Sequence, residues 1–387
     1  MITGAKKIEE ILIRGVEGVV SKEHLKKRLL LGRPLRIKHG IDPTGPKIHI
    51  GRAAQFQKLK DFQELGHKII LVIGDFTAQI GDASDKSSMR QSLSEKEIRE
   101  NMKNYVGQAG KILDIEKTEI RYNSEWLGKL GARDLLRLSK EFTAQQMIQR
   151  RNFKERWDQG KPIGLHELNY PLLQGYDSVA VKSDVELGGF DQLFNLKVGR
   201  EIQKTFNQPP QDIMVLKMLF GPDGRKMSTS WGNVINITDD PGEQFGKIMS
   251  IKDELIKDYF ELCTRVSLGT IKALPPREAK ARLAYEIVKI YHSQKAAERA
   301  KREFEQVFKE KKLPSQIPAL TVGEKELGIL DLLVKTKLAP SKSEGKRLIE
   351  QKGVKIDGEV KKNWQETIKI KKGAVVQAGK RKFLKII

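Results

Sequence analysis

The run Lys68-Ile69-Ile70-Leu71-Val72-Ile73, stopped by Gly74-Asp75, constrains this chain more than any other stretch. Five consecutive aliphatic side chains leave no polar face, so a strand here must be covered on both sides. Such a strand belongs in the middle of a parallel sheet, where neighbours are joined by long crossovers, usually helices. The run is also far too short to span a bilayer. An apolar-basic strand is expected before it at 35–38, a helix between at 56–65, and another short strand at 120–123. A helix predicted at 94–109 opens on Ser94 with Glu97 three residues on, a capping box. This alternation predicts an α/β fold with a doubly wound parallel sheet and ligands at the carboxyl ends of its strands.

Either side of that core the pattern changes. Residues 1–33 read as one or two amphipathic helices, with Ile8, Ile11 and Leu12, then Leu25, Leu29 and Leu30, at helical spacing. Residues 127–168 carry Leu135, Leu138, Phe142, Met147 and Ile148 on helical faces and read as an insertion between two halves of the sheet. The second half resumes at 170–181, continues with a helix at 190–206 and a strand at 212–219, and closes on a glycine-rich basic loop, 221–232. Beyond 239, helices are expected at 253–262 and 278–311, followed by a proline-containing linker at 313–318. The tail, 323–387, holds 17 Lys/Arg against 8 Asp/Glu and reads as two short helices and four short strands.

At 387 residues, two or three domains are expected. The predicted division is 1–235 with the insertion at 127–168, then a helical part at 236–318, then 323–387. A net charge of +22 points to a polyanionic partner, nucleic acid first, with a lysine-rich solvated surface as the plain alternative. Cys263 is the only cysteine, which excludes an intrachain disulfide and a cysteine-based zinc site; it reads as a small buried hydrophobe. Residues 1–20 are charged throughout and lack a signal-type apolar core, so a cytoplasmic protein is expected.

Two stretches carry chemistry. Gly40-Ile41-Asp42-Pro43-Thr44-Gly45-Pro46-Lys47-Ile48-His49-Ile50-Gly51-Arg52 follows a strand and enters a helix. Its glycines and prolines force an irregular turn, and the helix N-terminus behind it favours an anion. His49 and Arg52, three apart, suit a single phosphate. An ordinary βα loop that contains a histidine is the other reading. The second stretch, Gly224-Arg225-Lys226-Met227-Ser228-Thr229-Ser230, combines two cations with three hydroxyls after the last strand. A loop of this kind can fold over a polyphosphate and neutralise charge growing on a leaving group.

Together the two stretches resemble the signature of class I aminoacyl-tRNA synthetases. Glu167-Leu168-Asn169-Tyr170-Pro171-Leu172-Leu173-Gln174-Gly175-Tyr176-Asp177, Gly188-Gly189-Phe190-Asp191-Gln192, and Ile80-Gly81-Asp82 with Lys86 and Arg90 behind it resemble the tyrosine-specific family of that class, from about residue 30 onward. Residues 339–358 resemble the S4 RNA-binding module of the bacterial type. The resemblance implies a Rossmann-like catalytic domain, an α-helical anticodon-binding domain and a small α+β S4-like domain. It implies activation of tyrosine by ATP carried with Mg2+, transfer to tRNA(Tyr), no metal held by the protein, and a homodimer formed through the insertion.

Residue by residue, the resemblance gives His49, Arg52, Thr44, Lys226, Thr229, Lys86 and Arg90 to catalysis on the phosphates. It gives Gly40, Asp42, Gly51, Gly189, Asp191, Lys226, Met227 and Ser228 to ATP, with Asp191 taking the ribose hydroxyls. Asp82, Tyr170 and Gln174 would bind the ammonium of tyrosine, Gln192 its carboxylate and Asp177 its phenol. Lys38 stands where the better-known branch pairs the phenol with a tyrosine. Lys342, Lys346, Arg347 and Lys352 would meet tRNA.

The chain departs from the family at four places. Arg52 replaces a histidine and Thr229 a lysine, Lys38 replaces the tyrosine just named, and Phe190 fills a position usually small and is expected to narrow the ribose pocket. Plain readings stand beside these roles: Asp177 as a turn cap, Gly188-Gly189 as a turn, Tyr176 as a core aromatic, Lys86 and Arg90 as a solvated face. His39, His67, His166 and His292 read as structural or exposed. The rivals are the tryptophan-specific relative and an RNA-binding paralogue that no longer activates an amino acid.

Overall fold

A computed structural model of the chain describes residues 4–82, 93–309, 317–379 and 382–387. They form two compact units, residues 1–239 with 247–294, and residues 240–246 with 295–387. The first unit is built on β1 (Val16–Val20), β2 (Arg36–Ile41), β3 (Lys68–Ile73), β4 (Thr118–Tyr122), β5 (Val185–Gly189) and β6 (Asp212–Leu216). Their order is β1-β6-β5-β2-β3-β4. As the aliphatic run demanded, β3 lies inside the sheet, with Ile69, Ile70 and Val72 sealed from water. All neighbours pair in parallel except β1, which runs antiparallel on β6.

From β2 the chain moves outward through β3 and β4, then returns to lay β5 and β6 on the other side. The order therefore reverses between β2 and β5, and the crevice beyond their carboxyl ends is where such a sheet takes ligands. The residues after β2 form the His49 loop, and those after β5 form the Gly189–Asp191 segment.

Some local expectations are corrected. Within 1–33 the structure has two helices, Ala5–Ile13 and Lys22–Leu30, with β1 between them. That strand escaped notice because Glu17 and Gly18 break its apolar pattern, and its register shifts between Val16 and Gly18. Gly188 and Gly189 are not a turn but the end of β5. A Cβ on Gly188 would lie 2.9 Å from the Leu196 side chain, so one could enter only if the helix–strand packing there shifted. The expected 94–109 helix keeps its capping box, with Ser94 N donating to Glu97 at 2.9 Å, but divides into Glu95–Met102 and Tyr105–Ala109. The 278–311 helix likewise divides, into Pro276–Tyr291 and Gln294–Lys309.

The insertion folds as Ala132–Ser139, Ala144–Ile148 and Arg151–Asp158. Leu138 and Met147 pack with Leu172, Val179, Val198 and Ile202, which ties it to the Leu165–Ala180 and Leu193–Thr205 helices. Its outer side leaves Leu136, Trp157 and Leu165 63–80% exposed. In the second unit, helices Ile329–Lys335 and Lys342–Glu350 pack through Ile329, Leu332, Leu333 and Ile349 onto a sheet that contains Val354–Ile356, Val375–Ala378 and Lys382–Ile386.

Candidate active site

His49 is the N-cap of the Ile50–Glu64 helix, and its loop is fixed from outside. Ile50 N donates to Ile235 O at 2.8 Å and Ile237 N to Ile48 O at 3.0 Å. This pairing draws the segment that follows the Lys226 loop against the His49 loop, so two stretches about 180 residues apart in the chain face one cleft. Asn233 orders the second loop, accepting from Ser228 N at 2.9 Å and donating to Lys226 O at 3.0 Å. Thr229 reaches over Gly45, its methyl 3.9 Å from where a Cβ would stand there.

The cleft is lined by Gly40, Asp42, Thr44, His49, Gly51, Arg52, Asp82, Tyr170, Gln174, Asp177, Gly189, Asp191, Gln192, Lys226, Met227, Ser228 and Thr229. Lys86 and Arg90 lie outside the described residues. At the end of the cleft formed by the His49 and Lys226 loops, Arg52 donates to Thr44 Oγ1 at 2.9 Å and to Asp42 O at 3.1 Å. Lys226 Nζ sits 2.8 Å from Asp191 Oδ2. Burial, then the charges of Arg52 and Lys226, depress the His49 imidazole to about 3, so it is neutral and offers an N–H without charge. The permanent cation at this end is Arg52.

The other end is narrower. Tyr170 donates to Asp42 Oδ2 at 2.9 Å, and Thr77 donates to Asp42 Oδ1 at 2.8 Å. Asp177 is fully buried, accepting from Trp126 Nε1 at 2.8 Å and from Asn123 Nδ2 at 3.3 Å. Burial pushes its carboxyl up to about 7 against the pull of Lys38, Trp126 and Asn123. Gln174 is clamped, its Nε2 donating to Glu186 at 3.3 Å and its Oε1 accepting from Asn195 at 2.9 Å. Gln192 accepts from Gly189 N at 3.2 Å.

Two expected site residues are not at the cleft surface. Lys38 is sealed beneath it, with Nζ on Glu186 at 2.8 Å, Ser178 at 2.9 Å and Gln174 O at 3.0 Å. It is the register partner of Glu186 on β5, so its charge is spent inside the sheet and it cannot touch a substrate hydroxyl. Phe190 is half exposed and absent from the lining, so it does not narrow the cleft. Asn123, Trp126, Thr77 and Asn233 escaped the sequence reading. Asn123 alone carried a signal, its place at the carboxyl end of β4. Tyr176 is a core aromatic, edge-on to Phe206. Among the described residues no cluster of three or more His, Cys, Asp or Glu is arranged to hold a metal.

Two predictions arise here. A Cβ on Gly74 would fall 2.0 Å from Asp42 Oδ1 and 2.4 Å from Thr77 Oγ1. Gly74→Ala therefore pushes Asp42 off Tyr170, and a drop of about tenfold or more in turnover is expected, given what small misplacements cost. Unchanged turnover overturns this. The second concerns acid. Burial lowers His39 and His67 to about 4, as it lowers His49 to about 3. The unfolded chain takes these protons near pH 6.5 and the fold only near 3–4, so what the three histidines contribute to stability is full above 6.5 and falls as pH drops through that window, outweighing the opposite contribution of the raised Asp177 carboxyl. Denaturant midpoints at pH 7.5 and 5 measure it; equal midpoints overturn it.

A doubly wound parallel sheet whose crevice joins a Pro-Thr-Gly-x-x-x-His loop to a Lys-Met-Ser loop defines a class I aminoacyl-tRNA synthetase. The family described as tRNA synthetases class I (W and Y) matches residues 30–309. The C-terminal domain family of SYY-like tyrosine–tRNA ligases matches 303–386. A tyrosine–tRNA ligase of Moorella thermoacetica is 47% identical over 97% of this chain and 94% of its own length. One of Carboxydothermus hydrogenoformans is 48% identical over 98% and 97%. Among solved structures, the tyrosyl-tRNA synthetase of Archaeoglobus fulgidus complexed with L-tyrosine superposes with a TM-score of 0.61 at 22% identity, covering 76% of this chain and 99% of its own. The chain belongs to the tyrosine–tRNA ligase family.

Proposed function

We infer that this chain joins tyrosine to tRNA(Tyr) in protein synthesis, in two steps. The tyrosine carboxylate attacks the α-phosphorus of ATP, the P–O bond to pyrophosphate breaks, and tyrosyl-adenylate forms. A hydroxyl at the tRNA 3′ end then attacks the tyrosyl carbonyl and AMP leaves. Neither step needs a covalent enzyme intermediate, so positioning and charge supply the rate. The observation that carries the reading is the convergence, in one cleft, of the His49 loop, the Lys226 loop and a buried acceptor, Asp177, at its floor.

Asp177 accepts from the phenol; Tyr170, Gln174 and Asp82 take the ammonium, and Gln192 orients the carboxylate. The neutral His49 donates to an α-phosphate oxygen, while Arg52 and Thr44 hold the outer phosphates beside it. Lys226 crosses to the pyrophosphate, and Asp191 exchanges that cation for the ribose hydroxyls. Thr229, with Lys86 and Arg90, completes the clamp. Gly40, Asp42, Gly51 and Gly189 shape the nucleotide bed with Met227 and Ser228. Mg2+ arrives with ATP as part of the substrate.

The structure has two compact units rather than the three parts expected from the sequence, with 247–294 grouped with the first; on function we propose catalysis within 1–235, anticodon contact from 236–318 and RNA contact from 323–387. On the last, Lys342, Lys346, Arg347 and Lys352 lie on or just after the Lys342–Glu350 helix, and Lys346 Nζ stands 4.4 Å from the Trp364 ring centroid. Such cations suit an RNA backbone. The exposed Leu136, Trp157 and Leu165 support a homodimer through the insertion, and the place of work is the cytoplasm. Tyrosine-dependent ATP–pyrophosphate exchange by the purified chain tests the whole reading; exchange that ignores tyrosine sinks it.

A further inference from the structure

Arg150 is a buried cation the mechanism above does not use. It caps the Arg151–Asp158 helix, its side chain is 4% exposed, and its Nη2 donates to Asp82 Oδ1. Its guanidinium stands 5.3 Å from the Phe153 ring centroid, which Arg156 approaches to 5.8 Å. Arg156 in turn holds Glu167 through bonds of 3.0 and 2.8 Å, so the helix presenting Arg150 is pinned to the helix carrying Tyr170. Among the described residues, Nε and Nη1 of Arg150 have no hydrogen-bond partner. A guanidinium buried with most of its donors idle is costly as a mere structural pin.

What it faces supplies a reason. Asp42 and Asp82 both act on the Tyr170 hydroxyl, pushing its ionisation upward, and Arg150 opposes them there. Arg52 does not serve this purpose, since it bonds the Asp42 carbonyl and Thr44.

We propose that Arg150 is a positioning residue for the amino-acid substrate: paired with Asp82 near the Tyr170 hydroxyl, it aims the Asp82 carboxylate at the ammonium. This rests on the reading of Asp82 as an ammonium ligand given above. The role belongs to the insertion, so that segment bears on tyrosine binding as well as on assembly.

Pyrophosphate exchange on the full chain tests it, with Arg150→Gln, Arg150→Lys, Asp82→Asn and the Gln/Asn double variant. Arg150→Gln is expected to raise KM for tyrosine about tenfold or more and to leave KM for ATP within about twofold. Arg150→Lys recovers part of the loss. In the Asp82→Asn background, Arg150→Gln adds little.

A parallel rise in both KM values, an unchanged KM for tyrosine, or a full additional loss in the Asp82→Asn background overturns the proposal. Should Arg150→Gln not fold, Arg150→Lys decides alone: a rise in KM for tyrosine without one for ATP supports the role, and any other result overturns it. Wild-type chain lacking tyrosine-dependent exchange overturns the functional reading beneath it, a result separable from every Arg150 outcome.

Discussion

Replacing Asp177 with alanine is expected to lower kcat/KM for tyrosine about a hundredfold, leave KM for ATP within about twofold, and erode the preference for tyrosine over phenylalanine. The phenol loses a charged acceptor, a bond worth about 1.5–3 kcal/mol, and Trp126 Nε1 and Asn123 Nδ2 are left as buried donors without an acceptor. Phenylalanine brings no hydroxyl to lose, so its activation changes little and the two substrates approach each other. The pH dependence has a defined sign. With its carboxyl pushed up to about 7, Asp177 takes a proton as pH falls below that value and becomes a neutral, weaker acceptor, so KM for tyrosine rises toward acid. Asp177→Asn, which cannot ionise, flattens that limb. Exchange kinetics with both amino acids between pH 5.5 and 8.5 measure these effects; a tyrosine preference that survives Asp177→Ala intact overturns the assignment.

Lys226→Ala is expected to reduce kcat for exchange about 10²–10³-fold while KM for tyrosine stays within about twofold. A preorganised charge facing the leaving group acts in the transition state, where pyrophosphate gains charge as the P–O bond opens. Before substrate enters, Lys226 is held by Asp191 at 2.8 Å, and binding ATP must break that pair. Alanine removes the competing contact along with the cation, so KM for ATP is expected to rise less than kcat falls. Lys226→Arg keeps the charge and recovers part of the rate. Equal losses in kcat with either substitution, or a tyrosine KM that rises with the loss of rate, would show that the loop shapes the cleft instead.

Much of the site was legible before any coordinates. The prolines and glycines of the His49 loop mark its turns, and the cations and hydroxyls of the Lys226 loop mark its chemistry. The structure brings both to one cleft with Tyr170, Gln174 and Asp177. What the reading missed are neutral partners. Trp126 and Asn123 are common residue types in unremarkable surroundings, and they acquire meaning only at 2.8 and 3.3 Å from Asp177. Thr77 is of the same kind.

Lys38 shows the opposite failure. Its place in a motif suggested a substrate contact, but register on β2 sets it opposite Glu186 of β5, 148 residues away, where the two charges satisfy each other. Arg150 and Asp82, 68 residues apart, are likewise brought together only by the tertiary structure, though Asp82 still lines the cleft. The sequence by itself determined the parallel sheet, through the aliphatic run of β3; it marked the two loops that meet at the cleft, through backbone-bending residues, cations and hydroxyls; and it pointed to a polyanionic partner, through a net charge of +22. Those properties are local or additive, so they survive without coordinates. Only the tertiary structure decided which charges are spent internally and which face the cleft, because that depends on strand register and helix packing between residues far apart in the chain.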